Sequence, residues 1–345
     1  MFAIIMDSLT QIVLGAACGE AVLGRKIGNK ALLFGAIAGT IPDLDVFIGR
    51  LFYNNEIDNM LFHRGFMHSI LFSVIGAFLF GWLVYILYNS GKRKDTTTLN
   101  NWILLFFWAL FTHPILDCFT PYGTQLFAPF SNYRVAFNNI AVADPAYTLP
   151  FLICMIVLMF YNRQSMKRVQ WLRFGIGISS IYMLFTIGNK LYIDSVFKAS
   201  LAEENIKYLR YSAQPSILNN ILWYAIAETE TSYKVAYYSL LDESSRFSEW
   251  QTLPKTKDIS ILDYKDLKDL AWFSNNYYSV EKTTDSEYLY NDLRYPLVKT
   301  KKGYESVFSL MLFKENNRLN MKPFAPKVDD FGETMSNMFQ RLKGI

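Results

Sequence analysis

The stretch FMHSILFSVIGAFLFGWLVYILY, residues 66–88, decides the class of fold. It contains no Asp, Glu, Lys or Arg and exceeds the roughly 20 apolar residues that a helix needs to cross a bilayer. Three later segments have a similar character, at about residues 101–119, 147–161 and 174–193. Two earlier segments, at about residues 9–23 and 31–51, are weaker because polar residues interrupt them. We predict an α-helical membrane bundle of four to six transmembrane or half-buried helices over residues 1–195.

The composition changes after about residue 195. The chain is 52% hydrophobic and 17% aromatic, which is high for a soluble protein, and the excess lies almost entirely before this point. NNILWYAIAETETSYKVAYYSLL (219–241) predicts two strands joined by a polar turn, and YESVFSLMLFKENN (304–317) predicts another strand. DSVFKASLAEENIKYLRY (194–211) predicts a linking helix. We therefore expect residues 196–345 to form a soluble, extracytoplasmic α+β domain.

The distribution of basic residues predicts the orientation in the membrane. GRKIGNK (24–30), NSGKRKD (89–95) and NRQSMKRVQWLR (162–173) together carry ten Lys and Arg residues. The intervening segments, residues 49–65 and 120–144, hold only Arg50, Arg64 and Arg134. Because short basic loops stay in the cytoplasm, the other loops and the C-terminal domain are predicted to lie outside a bacterial cytoplasmic membrane. No dense basic block supports binding to nucleic acid, and the net charge is only +4.

Two motifs place histidine and aspartate at predicted helix breaks. In IPDLD, Pro42 ends the preceding helix, so Asp43 and Asp45 should lie at a break where their carboxylates can converge. In HRGFMHS, His63 and His68 flank a glycine that allows the backbone to bend between them. Both motifs are predicted to lie on the outer side.

A third motif, THPILD, puts His113 and Asp117 on one face of a helix, one turn apart. The chain has only three histidines, and all of them lie within residues 63–113. Ionisable groups inside a membrane cost several kcal/mol unless they are paired or bind a metal. A ligand set of histidines and aspartates suits zinc, manganese or another divalent ion in a hydrolytic site. Asp144, which precedes Pro145, is more simply the N-cap of a helix.

The ordered motifs MDSLTQ (6–11), PDLD, HRGFMHS, THPILD and ADPAYTLP (143–150) closely resemble the YdjM-like family of bacterial membrane proteins, which are predicted to be metal-dependent hydrolases. The resemblance covers about residues 6–195 and implies an inner-membrane protein whose metal site is distantly similar to the zinc-dependent phospholipase C fold. Carried over by position, it implies these metal ligands: Asp43, Asp45, His63, His68, His113 and Asp117. The family often has Thr-His where this chain has Thr10-Gln11, which implies a reduced site or Gln11 as a weak oxygen ligand.

The sequence and the resemblance together predict a membrane-bound metal-dependent hydrolase that acts on a phosphoester in a lipid or envelope substrate. Zinc is the expected ion, with manganese as the alternative. We expect Asp43 and Asp45 to take part in catalysis by bridging or orienting the metal. Arg64 and Arg134 are expected to neutralise the phosphate, although each arginine can equally lie along the membrane interface.

Two other classes of protein remain open. An ion or metal transporter would also place histidine and aspartate on membrane helices, but such proteins often contain paired repeats and PDLD and HRGFMHS have no second copy. A membrane anchor that presents the C-terminal domain would use the metal only to hold its structure. The lipid bilayer is the one partner that the sequence implies.

Overall fold

The computed structural model describes residues 2–256, 260–300, 303–324 and 331–344. Two compact units divide the chain. One contains residues 1–49 and 62–187, and the other contains residues 50–61 and 188–345. Among the described residues, the first unit is helical apart from its connecting loops and one isolated β-bridge between Thr124 and Val135, and the second unit contains the three β-sheets. A helical region followed by a mixed α+β domain is therefore confirmed.

The helices that begin in the first unit are α1 Phe2–Ile27, α2 Asn29–Thr40, α3 Asp45–Phe52, α5 Ile70–Tyr88, α6 Leu99–Asp117, α7 Pro145–Leu158 and α8 Met166–Glu203. The last residues of α3 and of α8 belong to the second unit. Of these, α5, α6 and α8 are long and apolar enough to cross a membrane. A fourth candidate is α2 together with Pro42–Phe52, bent by 43°. The predicted segment at 147–161 forms α7, which has only 14 residues and is shorter than a full span.

Glycines hold α1 and α2 unusually close together. Gly15 and Gly19 on α1 face Gly35 and Gly39 on α2, with the four-residue spacing that allows two helix backbones to approach. A Cβ atom added to Gly39 would lie 2.7 Å from the carbonyl oxygen of Gln11. Gln11 itself is buried and donates to Asp117 on α6.

The two predicted breaks are present where the sequence places them. Pro42–Leu44 forms a 3₁₀ turn between α2 and α3, and Asp45 is the first residue of α3. After α4 (Glu56–Phe62), Arg64 adopts a left-handed backbone conformation with φ of 59°. A Cβ atom on Gly65 would lie 2.8 Å from the carbonyl oxygen of Phe62, so the tight turn requires a glycine there.

The basic loops 24–30 and 162–173 meet at one end of the helical unit, beside the start of α6. Lys26 Nζ donates to Asn101 Oδ1 at 2.7 Å, and Arg163 donates to the carbonyl oxygen of Lys26 at 2.6 Å. Gln164 donates to the carbonyl oxygen of Arg25 at 3.0 Å. The histidine and aspartate motifs lie at the opposite ends of the same helices.

The second unit contains two four-stranded antiparallel sheets, of order β1-β2-β3-β4 and β10-β9-β6-β5, and the hairpin β7–β8. The first sheet is built from β1 Arg210–Pro215, β2 Leu222–Glu228, β3 Ser232–Ser239 and β4 Ser248–Pro254. The remaining elements are α9 Lys265–Phe273, β5 Tyr278–Lys282, β6 Glu287–Asp292, β7 Leu297–Thr300, β8 Gly303–Ser306, β9 Ser309–Glu315, β10 Arg318–Phe324 and α10 Phe331–Leu342. The predicted hairpin is β2–β3, whereas the predicted linking helix ends at Glu203 and its last residues begin β1.

Candidate metal centre

Four side-chain atoms from three separate parts of the chain converge in the helical unit. His68 Nε2 lies 3.2 Å from His113 Nε2, 3.3 Å from Asp43 Oδ1 and 3.5 Å from Asp117 Oδ2. His113 Nε2 lies 3.5 Å from each of the same two carboxylate oxygens. Both imidazoles and Asp117 are buried, whereas the side chain of Asp43 is 31% exposed. The cluster therefore opens on the side of Asp43.

These separations fit a metal ion. Nitrogen and oxygen ligands about 2.0–2.2 Å from a tetrahedral zinc ion lie roughly 3.3–3.6 Å from one another. The chemistry of the site points the same way, because Asp117 Oδ2 is buried and has no hydrogen-bond partner among the described residues. A cation at the centre of the four atoms would satisfy this oxygen and both Nε2 atoms. The residues present therefore fit a divalent metal ion.

A second layer of contacts orients each buried ligand candidate. His113 Nδ1 donates to the carbonyl oxygen of Gly39 at 2.6 Å, which leaves the lone pair on Nε2 facing the cluster. His68 Nδ1 lies 3.0 Å from Asp45 Oδ2, a close contact whose angle does not make a hydrogen bond. Histidines that bind metals usually donate a hydrogen bond from their other ring nitrogen, as His113 does here.

Gln11 orients the carboxylate of Asp117. Its Nε2 donates to Asp117 Oδ1 at 2.8 Å and to the carbonyl oxygen of His113 at 3.2 Å. Because both partners are acceptors, the amide nitrogen rather than the amide oxygen faces Asp117. Gln11 thus supports a ligand candidate by donating hydrogen bonds, a role that its position in an apolar segment did not reveal. Gly39, whose carbonyl group fixes His113, was likewise not predicted.

Asp45 and His63 form a second group that shares His68. Asp45 Oδ1 lies 2.8 Å from His63 Nδ1, and its Oδ2 accepts a hydrogen bond from the backbone N–H of Arg64 at 3.0 Å. Asp45, His63 and His68 bring one ligand atom each close enough to hold an ion, as Asp43, His68 and His113 also do. Burial lowers the pKa of His63 below its usual value of 6.5, although the hydrogen bond that His63 Nδ1 makes to the Asp45 carboxylate opposes this shift.

The two predicted arginines surround Tyr122. The guanidinium carbon of Arg64 lies 4.9 Å from the centre of its ring, and that of Arg134 lies 5.2 Å from it. Arg64 is buried, with Nε 3.4 Å from Asp117 Oδ2, and it donates to Thr120 Oγ1 at 2.9 Å. Arg134 donates to the carbonyl oxygen of Gly123 at 2.9 Å. The structure thus brings Arg64 against a carboxylate of the cluster and places Arg134 beside Tyr122.

Two other polar groups have structural partners. Asp144 caps α7 by accepting from Ala146 N at 2.9 Å and also accepts from the hydroxyl of Tyr182 at 2.8 Å. Glu20 forms a buried ion pair with Arg168, each carboxylate oxygen lying 2.6 Å from a guanidinium nitrogen. These partners explain why two acidic residues are tolerated in an apolar unit.

The fold and the cluster define a multi-helix membrane protein with a buried histidine and aspartate site. The family model described as YdjM inner membrane protein matches residues 6–192, and the chain belongs to this family. It is 31% identical over 159 residues to uncharacterized protein YfhP of Bacillus subtilis (strain 168), an alignment that covers 44% of this chain and 46% of YfhP. The chain thus spans about half the length of that relative. No solved structure matches it significantly.

Proposed function

We propose that this protein is a membrane-bound, metal-dependent hydrolase whose site opens at the outer face of the cytoplasmic membrane. The observation that carries the proposal is the convergence of His68 Nε2, His113 Nε2, Asp43 Oδ1 and Asp117 Oδ2 within 3.2–3.5 Å of their neighbours. Zinc is the ion that this nitrogen and oxygen set suits best, with manganese as the alternative.

The charges of the site favour a divalent cation. Asp43, Asp45 and Asp117 contribute three carboxylates, and Arg64 contributes one guanidinium, so the group carries two negative charges when the imidazoles are neutral. A divalent ion would bring this buried group to neutrality, which lowers the cost of keeping charges away from water. Arg64 in this account stabilises Asp117 rather than a substrate phosphate.

A bound divalent ion would supply Lewis acidity to the scissile bond and to an attacking water. The chain's own residues would supply orientation and proton transfer. Asp43 lies at the open side, where substrate can approach. His63 is 23% exposed, and its Nδ1 is held by Asp45, so that Nε2 faces away from that carboxylate. We assign His63 the movement of a proton at Nε2 during hydrolysis.

The substrate that we propose is a phosphoester in a membrane lipid or an envelope precursor. The basic loops 24–30 and 162–173 meet the start of α6 at one end of the helical unit, and the cluster lies at the other ends of these helices. With the basic end in the cytoplasm, the site faces outward and the C-terminal domain is extracytoplasmic. Arg134, beside Tyr122, is the arginine that we propose to contact the substrate phosphate.

Metal content and hydrolysis test the proposal together. Protein purified in detergent without chelators should contain about one zinc or manganese ion per chain and should hydrolyse a phosphoester from a panel of phospholipids and lipid-linked phosphates. His68→Ala and Asp117→Ala should lose both properties while they keep the helical circular dichroism of the wild type. Wild-type protein that contains no metal after dialysis against zinc would reject the proposal. Zinc uptake by proteoliposomes without hydrolysis would instead support a transporter.

A further inference from the structure

The connection between α6 and α7 contains an aromatic loop, residues 120–139, that exposes large apolar side chains. Four of its rings are between 51% and 85% exposed: Phe127, Phe130, Tyr133 and Phe137. The loop contains no Asp, Glu or Lys and a single Arg. Large apolar side chains that are exposed together mark a surface that a membrane or another molecule covers.

Backbone hydrogen bonds hold the aromatic loop in a closed shape. Thr124 N donates to the carbonyl oxygen of Val135 at 3.1 Å, and Val135 N donates to that of Thr124 at 2.9 Å. Between them, Phe130 N and Ser131 N donate to the carbonyl oxygen of Phe127 at 3.0 and 3.2 Å. A loop that is already ordered loses little conformational entropy when its exposed rings are covered.

The aromatic loop lies at the ends of two helices that can cross a membrane. The carbonyl oxygen of Leu126 accepts from the backbone N–H of Ile70, the first residue of α5, at 3.0 Å. Phe137 N donates at 2.7 Å to the carbonyl oxygen of Cys118, which directly follows α6. Because α5 and α6 are both long and apolar enough to span, their ends lie at the membrane surface, and so does the loop bound to them.

Lipid is the partner that fits this surface. Close to the loop, α5 exposes Val74, Ile75 and Phe78, and such side chains on a spanning helix face the acyl chains. The exposed apolar side chains thus continue from a membrane span into the loop that is bound to its first residue. Aromatic rings suit the boundary between acyl chains and headgroups, where the long side chain of a single arginine can reach lipid phosphates.

The same loop contacts the turn that carries two histidines of the candidate site. Gln125 N donates to the carbonyl oxygen of Arg64 at 3.0 Å, and Arg64 lies between His63 and His68 in the chain. The centre of the Tyr122 ring lies 5.5 Å from that of the His63 ring. The depth at which the loop lies in a membrane therefore also sets the depth of this turn.

We propose that the aromatic loop inserts the rings of Phe127 and Phe130 into the lipid leaflet on its side of the membrane and holds the turn of His63 and His68 at the level of the lipid headgroups. A lipid phosphate then meets the site without leaving the bilayer. This consequence for the substrate rests on the proposed function, whereas the insertion of the loop does not.

The test replaces one phenylalanine at a time by the photo-crosslinking amino acid p-benzoylphenylalanine. The full-length chain is reconstituted in liposomes of phosphatidylcholine and phosphatidylglycerol. The test position is Phe130, the reference for lipid contact is Phe78 on α5, and the matched control is Phe339 on α10 of the α+β unit. Phe78 and Phe339 are 59% and 53% exposed, so all three exposed positions accept the larger ring without loss of packing. After irradiation, mass spectrometry counts the lipid adducts and locates each on a headgroup or an acyl chain.

We expect the yield of lipid adducts at Phe130 to lie within about threefold of the yield at Phe78, because apolar side chains at the membrane boundary are buried among the upper acyl chains. The yield at Phe130 should exceed that at Phe339 by about tenfold or more, with the adducts located on acyl chains.

Adducts at Phe130 that are confined to headgroups would overturn the inference, and so would a yield equal to that at Phe339. Crosslinks from Phe130 to a second copy of the chain in place of lipid would overturn it as well. None of these readouts needs a metal ion or hydrolysis. A chain that binds no metal and hydrolyses no phosphoester therefore rejects the proposed function, while the crosslinks still decide whether the loop inserts.

Discussion

The Nε2 atoms of His68 and His113 lie 3.2 Å apart, although the two residues are 45 positions apart in the chain. Each ring presents its other nitrogen to an acceptor, Asp45 in one case and the carbonyl group of Gly39 in the other. Two nitrogens at this distance would repel each other if both carried a proton. The cation that we propose would be bound by the lone pairs of both nitrogens and would remove that conflict.

The two groups of ligand candidates make opposite predictions for His63. If the ion lies between His68 and His113, His68→Ala and His113→Ala should abolish stoichiometric zinc binding, whereas His63→Ala should retain it. Asp45→Asn should still bind the ion, with an affinity reduced about 10- to 100-fold. In this arrangement Asp45 orients the ring of His68 and does not itself bind the ion. Elemental analysis and competition with a zinc chelator measure these differences. Loss of zinc in His63→Ala would move the ion to the other group.

Gln11 should matter for metal affinity although it is not expected to touch the ion. Gln11→Ala removes the hydrogen bond to Asp117 Oδ1, and we expect the zinc affinity to fall about 10- to 100-fold. Gln164→Ala, which removes an exposed amide that donates to the carbonyl group of Arg25, is the matched control and should leave the affinity unchanged. Equal affinities in the two variants would show that Asp117 needs no such support.

The rate of hydrolysis should decrease at acidic pH because His63 becomes protonated. Burial lowers the pKa of this imidazole below 6.5, so its neutral form persists to a lower pH than that of an ordinary histidine. The rate should therefore be constant near pH 7 and decline only as the pH drops through the lowered pKa. Profiles of kcat/KM for the wild type and for His63→Ala check this. The variant should be slower by about 10²-fold or more and should lack the acid limb.

The glycine contact between α1 and α2 should be intolerant of a single methyl group. A Cβ atom on Gly35 would lie 2.8 Å from Gly19 backbone atoms, so Gly35→Ala should destabilise the protein by about 1–3 kcal/mol. Gly177→Ala is the control, because a Cβ atom there meets nothing within 4 Å. Alanine favours a helix over glycine by about 1 kcal/mol, so this variant should be as stable as the wild type or slightly more so. Thermal unfolding in detergent compares the two.

The protein should lose more stability when one residue of the buried Glu20–Arg168 ion pair is replaced than when both are replaced. Glu20→Ala leaves the Arg168 guanidinium buried without its carboxylate and should cost about 3–5 kcal/mol of stability. Replacement of both residues by methionine should be less harmful than Glu20→Ala, because no uncompensated charge then remains. A double variant that is less stable than Glu20→Ala would contradict this account. Metal affinity should not change in folded protein, since both residues are paired away from the cluster.

Local patterns in the sequence predicted the parts of the site that lie within one helix or one turn. Pro42 placed Asp43 and Asp45 at a break, and the spacing of His113 and Asp117 placed them on one helical face. The hairpin β2–β3 followed from the same kind of local signal. The short apolar segment predicted at residues 147–161 is present as the 14-residue α7, Pro145–Leu158.

The sequence by itself determined the membrane character of residues 1–195, the ends of the helices at which polar residues gather, and the identity of the ionisable side chains. The tertiary structure decided which atoms meet. It placed Asp45 behind His68, turned the amide nitrogen of Gln11 toward Asp117, and joined the segment 50–61 to the C-terminal unit. The physical reason is that helical periodicity fixes neighbours only within a helix. Contacts between helices depend on how closely the backbones approach, which glycines such as Gly39 set.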